Sequence, residues 1–158
     1  RLYTIEHYME RLAKVRTLIP DAMITTDIIV GFCGETEQEF LETKKVMEEI
    51  RYAMSYTAQY SPRIGTVSAR MPDDVPAEEK KHRFEELNDL LREHAMENHQ
   101  KLVGTKQRML VEEYLKGKNI GHLKHGWKAH LPGENMTGQF VDVEVMEAEP
   151  WHVVVRVV

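Results

Sequence analysis

The chain has 158 residues, 42% of them hydrophobic and 30% charged, with a formal charge of −5; this suits one domain or two small ones and gives no global electrostatic case for nucleic acid. Its one cysteine, Cys33, excludes a disulfide framework and any cysteine-only metal site within the chain, and points to a reducing, cytoplasmic compartment. No run approaches the roughly 20 apolar residues of a membrane-spanning helix and no leader pattern is seen, so no membrane partner is expected; a sequence opening on Arg1 is expected to be a fragment of a longer protein.

Ile5, Tyr8, Met9, Leu12, Val15 and Ile19 recur at three- and four-residue steps. This predicts an amphipathic helix, capped by Thr4 and closed at Pro20-Asp21. Met23 to Val30 is predicted as a strand with unlike faces. Ile24, Thr26, Ile28 and Val30 share one side; Thr25, Asp27, Ile29 and Gly31 share the other. The run ends in a glycine-spaced turn and opens on Thr36, with Glu39 three residues on, the pattern of a capping box. Glu35 and Thr36 are expected to serve this helix start, a carboxylate there complementing the helix dipole. Strand, turn and helix start together make a concave edge that favours anions; an ordinary β-to-α turn without a ligand is the alternative.

A second helix is predicted from Thr36 to about Arg51, then a strand from Met54 to Ser61. In it Met54, Tyr56, Ala58 and Tyr60 alternate with Ser55, Thr57, Gln59 and Ser61. An α-β-α-β order with short links predicts right-handed crossovers and parallel pairing. The polar faces of both strands are expected to line one wet interior, part of a barrel rather than of a doubly wound sheet. Chemistry would then gather at the C-terminal strand ends, Gly31 to Glu35 and Tyr60 to Thr66.

Arg70 to Pro76 is a proline-punctuated connector. A long helix is predicted from Pro76 to about Leu102, burying Phe84, Leu87, Leu91, Ala95, Asn98 and Leu102 and leaving a charged outer face in solvent. Past Gly104 the apolar period changes to two. Strands are predicted at Arg108–Tyr114, once or twice within Asn119–His130, at Phe140–Val145 and at Val153–Val158. Five short strands with glycine turns suit a small antiparallel barrel of the OB type. The domain boundary is placed near Leu102, giving parts 1–102 and 103–158.

Three motifs then carry a resemblance. Asp27-Ile28-Ile29-Val30-Gly31-Phe32-x-Gly34-Glu35-Thr36-Glu37 is followed by Tyr60-Ser61-Pro62-Arg63-x-Gly65-Thr66 and by Met71-Pro72-Asp73-x-Val75-Pro76. With the opening Arg1-x-Tyr3-Thr4, their order and spacing resemble the radical-SAM methylthiotransferases, and the terminal barrel falls where that family carries its TRAM domain. The resemblance implies an α/β fold: the C-terminal part of a radical-SAM partial (β/α) barrel followed by a TRAM barrel. It implies sulfur insertion and methylation at an unactivated C–H position, with S-adenosylmethionine and two 4Fe-4S clusters in the full-length enzyme.

The Tyr60-Ser61-Pro62-Arg63 form resembles the tRNA branch, which modifies C2 of an N6-substituted adenosine beside the anticodon. The implied partners are tRNA, through its anticodon stem-loop, and the N-terminal cluster-binding region of the same protein, within a monomer. The sequence departs from the family pattern twice. It has no CxxxCxxC and no second cysteine trio, so alone it cannot hold a cubane cluster through thiolates and is expected to be inactive by itself. Cys33 stands where the family usually has proline and is read as packing. Two other readings compete: the branch that acts on a ribosomal-protein aspartate, and a stand-alone RNA-binding module.

No residue is assigned as catalytic. The resemblance implies cofactor contacts at Thr25, Asp27, Ile29, Gly31, Ser61 and Arg63: backbone at Ile29 and Gly31 for adenine, the polar pair for ribose or base, and Arg63 for a phosphate or the cofactor carboxylate. The alternatives are core packing for Ile29, a bond to a neighbouring strand for Thr25 and Asp27, and a surface ion pair for Arg63. In the barrel, Lys106, Arg108, Lys116, Lys118, Lys124 and Lys128, with Trp127 as a stacking ring, are the candidate RNA contacts; a solvated basic face is the alternative. The histidines lack the partners of a metal site, and no metal is assigned.

Overall fold

The computed structural model describes residues 3–158; Arg1 of the opening motif lies outside the described residues. Helix α1 (Ile5–Leu18) starts where Thr4 accepts the amide of His7. Tyr8, Met9 and Leu12 pack against the neighbouring core, but none of its residues is fully buried. Strand β1 (Thr25–Val30) leads through the glycine turn into α2 (Glu37–Ile50). The capping box forms as the sequence predicts: Thr36 accepts the Glu39 amide, and Glu39 Oε2 accepts the Thr36 amide at 2.8 Å. Such a cap stabilises a helix by about 1 kcal/mol.

Strand β2 (Met54–Gln59) pairs in parallel with β1, as expected of two strands joined by a helix. One sequence expectation is overturned. Asp27 pairs with Tyr56 and Ile28 with Thr57, and cross-strand partners share a face. The open face therefore carries Thr25, Asp27 and Ile29 beside Met54, Tyr56 and Ala58. Ser55 is buried, while Tyr56 is exposed. The polar sides of the two strands do not line one interior. Burial of Ser55 is tolerated because its hydroxyl and that of Thr57 lie 3.1 Å apart, a hydrogen bond that satisfies both.

Helix α3 (Ala77–Gln100) runs back along the layer. Leu87 and Leu91 meet Phe40, Met47 and Ile50 of α2, Val30 of β1, and Tyr52. Full burial of each such side chain contributes about 1.5–3 kcal/mol. The charged face expected to be solvated is partly inside: Lys80, Arg83, His94 and His99 are buried. They extend the Leu87–Leu91 stripe at helical spacing in both directions.

The remaining strands, β3 (Lys106–Leu115), β4 (Lys118–His122), β5 (Lys128–Pro132), β6 (Phe140–Glu149) and β7 (His152–Val157), close into a barrel of order β3-β4-β5-β7-β6. Pairing is antiparallel except at β5–β7, which is parallel, so the expected all-antiparallel barrel is corrected at its closing seam. A barrel with an odd number of strands must contain a parallel pair, because directions cannot alternate all the way round. Val111, Leu131, Val143, Val145, Val153 and Val155 fill its interior with Met109 and Ala129. Asn119, wholly buried, donates to the Leu131 and Glu134 carbonyls and accepts from Met136, satisfying its amide and pinning the loop before β6. Among the described residues no helix is long and apolar enough to cross a membrane.

Candidate ligand edge and nucleic-acid face

The open face of β1 places Thr25, Asp27 and Ile29 along one groove of about 1100 Å3, bordered by α1 and α2. Ile29 is 56% exposed, so it is not core. Asp27 and Thr25 are exposed beside it. A hydroxyl, a carboxylate and an apolar side chain in a row can take the hydroxyls and flat face of a nucleoside. Gly31, Ser61 and Arg63 do not border this groove. Ser61 and Arg63 are exposed on the loop after β2, and Arg63 makes no ion pair among the described residues.

Gly31 has a different local task. Its φ is +69°, and a Cβ there would stand 2.3 Å from Lys80 Cγ. The space a side chain would need is filled by the Lys80 stem, and the Gly31 amide donates to Glu35 Oε2 at 2.6 Å. The close approach is to α3. Lys80 Nζ pairs with Asp73 and donates to the Tyr60 carbonyl at 3.4 Å. Arg83, 4% exposed, donates to Glu35 at 2.8 Å, Glu79 at 2.8 Å and Glu37 at 3.2 Å. Burial opposes the guanidinium's charge, but its hydrogen bonds to Glu35 and Glu79 more than offset this and raise its pKa. Glu35 thus ties the turn to α3 rather than only complementing a helix dipole. Cys33 is buried, with Sγ 3.8 Å from the Ser68 carbonyl, and fits the packing reading.

On the barrel the six candidate cations separate. Lys106 and Arg108 face outward on β3, directly across from Glu144 and Asp142 of β6. Arg108 also lies 4.7 Å over the exposed Phe140 ring, a cation–π contact. Glu144 is itself paired with Arg156 at 2.6 Å, and among the described residues neither Lys106 nor Arg108 makes an ion pair. On β4 and β5, Lys118 is opposite Pro132, and Lys128 is opposite His122. Lys116 sits in the turn between β3 and β4, at φ +51°. Glu112, bonded to His122 at 2.6 Å, and Glu113, across from Ile120, are carboxylates on this side, and Glu149 pairs with His152 at its β7 edge. OB-type barrels bind nucleic acid on their second and third strands, here β4 and β5. Lys116, Lys118 and Lys128 share that side.

Trp127 and Lys124 lie elsewhere. Trp127 meets His99 of α3 edge-on, ring centroids 5.2 Å apart, and packs against the barrel core. With Lys124 and His125 it borders a cleft of about 570 Å3, closed on the other side by Asp21, Met23, Ile24 and Ala53. That cleft lies at the N-terminal ends of β1 and β2. The cations on its α/β side are accounted for by helix ends: Arg16 donates to the Ile50 carbonyl at the end of α2, and Arg51 pairs with Glu97.

The 24 residues of α3 span about 36 Å, with the Arg83–Glu35 link near its start and the His99–Glu149 carbonyl bond near its end. One ring pair escaped the sequence reading: His130 on β5 and His152 on β7 stack with centroids 3.7 Å apart. Strand alternation gave a signal, since both are outward positions, but their adjacency depends on the parallel seam. Among the described residues no group of three or more His, Cys, Asp or Glu is arranged to hold a metal.

No protein-family model matches the chain. Curated relatives do. The tRNA-2-methylthio-N(6)-dimethylallyladenosine synthase 1 of Mycobacterium marinum is 40% identical over 165 residues, covering 98% of this chain and 31% of its own length. The synthase of the same description from Thermobifida fusca is 42% identical over 164 residues, 98% of this chain and 33% of its own. That of Thermoanaerobacter sp. is 41% identical over 155 residues, 96% and 33%. The chain spans about a third of the length of the curated relatives it matches. A solved multidomain protein with nucleic acid binding domains from Streptococcus pneumoniae aligns over 39% of this chain and 27% of its own at 13% identity and a TM-score of 0.32, too slight a likeness to carry an argument.

Proposed function

We propose that this chain, which belongs to the methylthiotransferase family over the length it spans, is the C-terminal part of a tRNA 2-methylthioadenosine synthase. One observation carries the reading: identity of about 40% with such synthases runs through nearly the whole chain, across both the α/β layer and the barrel. The parts are residues 1–102, the end of a radical-SAM barrel, and 103–158, a TRAM barrel. In this family S-adenosylmethionine, cleaved at an iron–sulfur cluster, supplies the radical chemistry. The donor set here does not fit a cluster: the one thiol is buried against Ser68, so no step is assigned through one. The groove on β1 does fit the adenosine end of S-adenosylmethionine. There Asp27 and Thr25 would take hydroxyls and Ile29 would lie against the base, while Ser61 and Arg63, on the loop after β2 and outside the groove, would meet the charged end or an RNA phosphate. The barrel would hold the anticodon arm of a cytoplasmic tRNA, and the enzyme would act as a monomer.

A chimera tests this. The corresponding third of the Thermobifida fusca synthase is replaced by this chain, and tRNA from a strain lacking the activity is digested and analysed by mass spectrometry. The expected result is the 2-methylthio nucleoside, lost again on Asp27→Ala. A stable, cluster-loaded chimera that leaves the nucleoside unmodified would overturn the reading.

A further inference from the structure

The stacked imidazoles of His130 and His152 are not used by anything above. They lie on the outer wall of the barrel, at the β5–β7 seam, where Ala129 pairs with Val153 and His130 with Val154. Among the described residues neither ring nitrogen of His130 has a hydrogen-bond partner, although both atoms are buried. A neutral imidazole carries one N–H donor and one lone pair, and leaving both unmet when buried is unfavourable. Unmet buried polar atoms in a native protein point to a missing partner. The groups around the pair are Lys118 of β4, Lys128 of β5, Glu149 at the end of β6 and His99 of α3. Burial first, then the charges of His152, Lys128 and Lys118, hold His130 down to about 4; burial also lowers His152, although the Glu149 carboxylate opposes it, so the two rings meet uncharged at neutral pH.

We propose that the His130–His152 ring pair, flanked by Lys118 and Lys128, is a base-binding platform for one unpaired nucleotide of RNA. The inference rests on the reading of the barrel as an RNA contact and goes beyond it by naming the contact and its ligand. Unpaired bases are taken by stacking on aromatic or imidazole rings and by hydrogen bonds to their edges. Here the partly exposed ring pair supplies the stacking surface. The two lysines, on neighbouring strands of the same wall, reach the phosphates on either side. The platform also replaces Trp127, whose ring is committed to His99 and the barrel core, as the stacking element.

The test uses the 158-residue chain and a fluorescein-labelled single-stranded RNA ten-mer. With His130→Ala and His152→Ala together, affinity falls about tenfold while the dependence of log K on log salt keeps its slope. With Lys118→Gln and Lys128→Gln together, the slope becomes shallower by roughly 1.4, two phosphates at about 0.7 each. In the unmutated protein, the imidazole carbon and proton resonances of His130 and His152 shift when the ten-mer is added; this readout does not depend on a variant folding. RNA binding with unmoved imidazole resonances would overturn the platform and leave the RNA reading standing. Absence of RNA binding to the unmutated chain would overturn both.

Discussion

Buried side chains that sequence patterning assigns to the surface set how this protein responds to pH and substitution. His94, His99, His130 and His152 are all held below the ordinary value of 6.5, first by burial. For His94 the Arg51 charge adds to this, and for His130 the neighbouring His152, Lys128 and Lys118 do. A histidine whose folded value lies below its unfolded one binds more protons when unfolded, so stability rises with pH through the interval between the two. For His130 that interval runs from about 4 to about 6.5. The chain should therefore keep full stability from these groups above pH 6.5 and lose it on acidification. Its Tm is expected to drop by several degrees, on the order of 2–4 °C per kcal/mol, between pH 7 and pH 5. His130→Phe should flatten that slope; an unchanged slope would show that the ring does not titrate as argued. Arg83 is the charged counterpart. Arg83→Met leaves the largely enclosed Glu35 carboxylate with the Gly31 amide but no cation, and unfolding by urea should show a loss of about 3 kcal/mol. Adding Glu35→Gln should return part of it, since a neutral amide costs less to bury than a carboxylate.

Elements whose signals are local were legible in the sequence. The Thr36–Glu39 box, the Thr4 cap and the β1 alternation depend on neighbours within four residues, and all three stand in the structure. The β2 faces were not legible. Ser55 and Tyr56 exchange the places their hydrophobicity predicts, because the parallel register with β1 sets which face each occupies. Lys80 and Arg83 escaped for a similar reason: a charged residue on a helix reads as solvated until carboxylates from other segments, Asp73 for Lys80 and Glu35 and Glu37 for Arg83, converge on it. The barrel has a comparable long-range requirement at Gly121. A Cβ there would stand 1.9 Å from the Leu110 carbonyl oxygen and 3.0 Å from Val111 Cα, and these are backbone atoms beside the bulge between Val111 and Glu113. Gly121→Ala should cost at least about 2 kcal/mol, read as a lower midpoint in thermal unfolding. Gly138→Ala, with open space at its Cβ position but a positive φ, should cost about 1 kcal/mol. Equal effects at the two positions would remove the argument from close backbone approach.

At the scale of the molecule, a closed barrel adjoins an α/β layer with one open face. The barrel's interior is sealed on every side by paired strands, whereas α1 buries none of its residues fully and β1 pairs on one edge among the described residues. Hydrogen exchange followed by mass spectrometry should therefore find α1 and β1 exchanging well before β3, β6 and β7. Protection of α1 equal to that of β6 would show that the layer and barrel unfold as one. The sequence by itself determined the order of helices and strands, the capped turn after β1 and the five-stranded tail, because each follows from apolar period and from capping or turn residues close in the chain. Only the tertiary structure decided which faces meet, which cations remain unanswered, that Trp127 lies in the seam, and that His130 stacks on His152. Those depend on register and on barrel closure, which join residues many positions apart and leave no periodic trace in either segment alone.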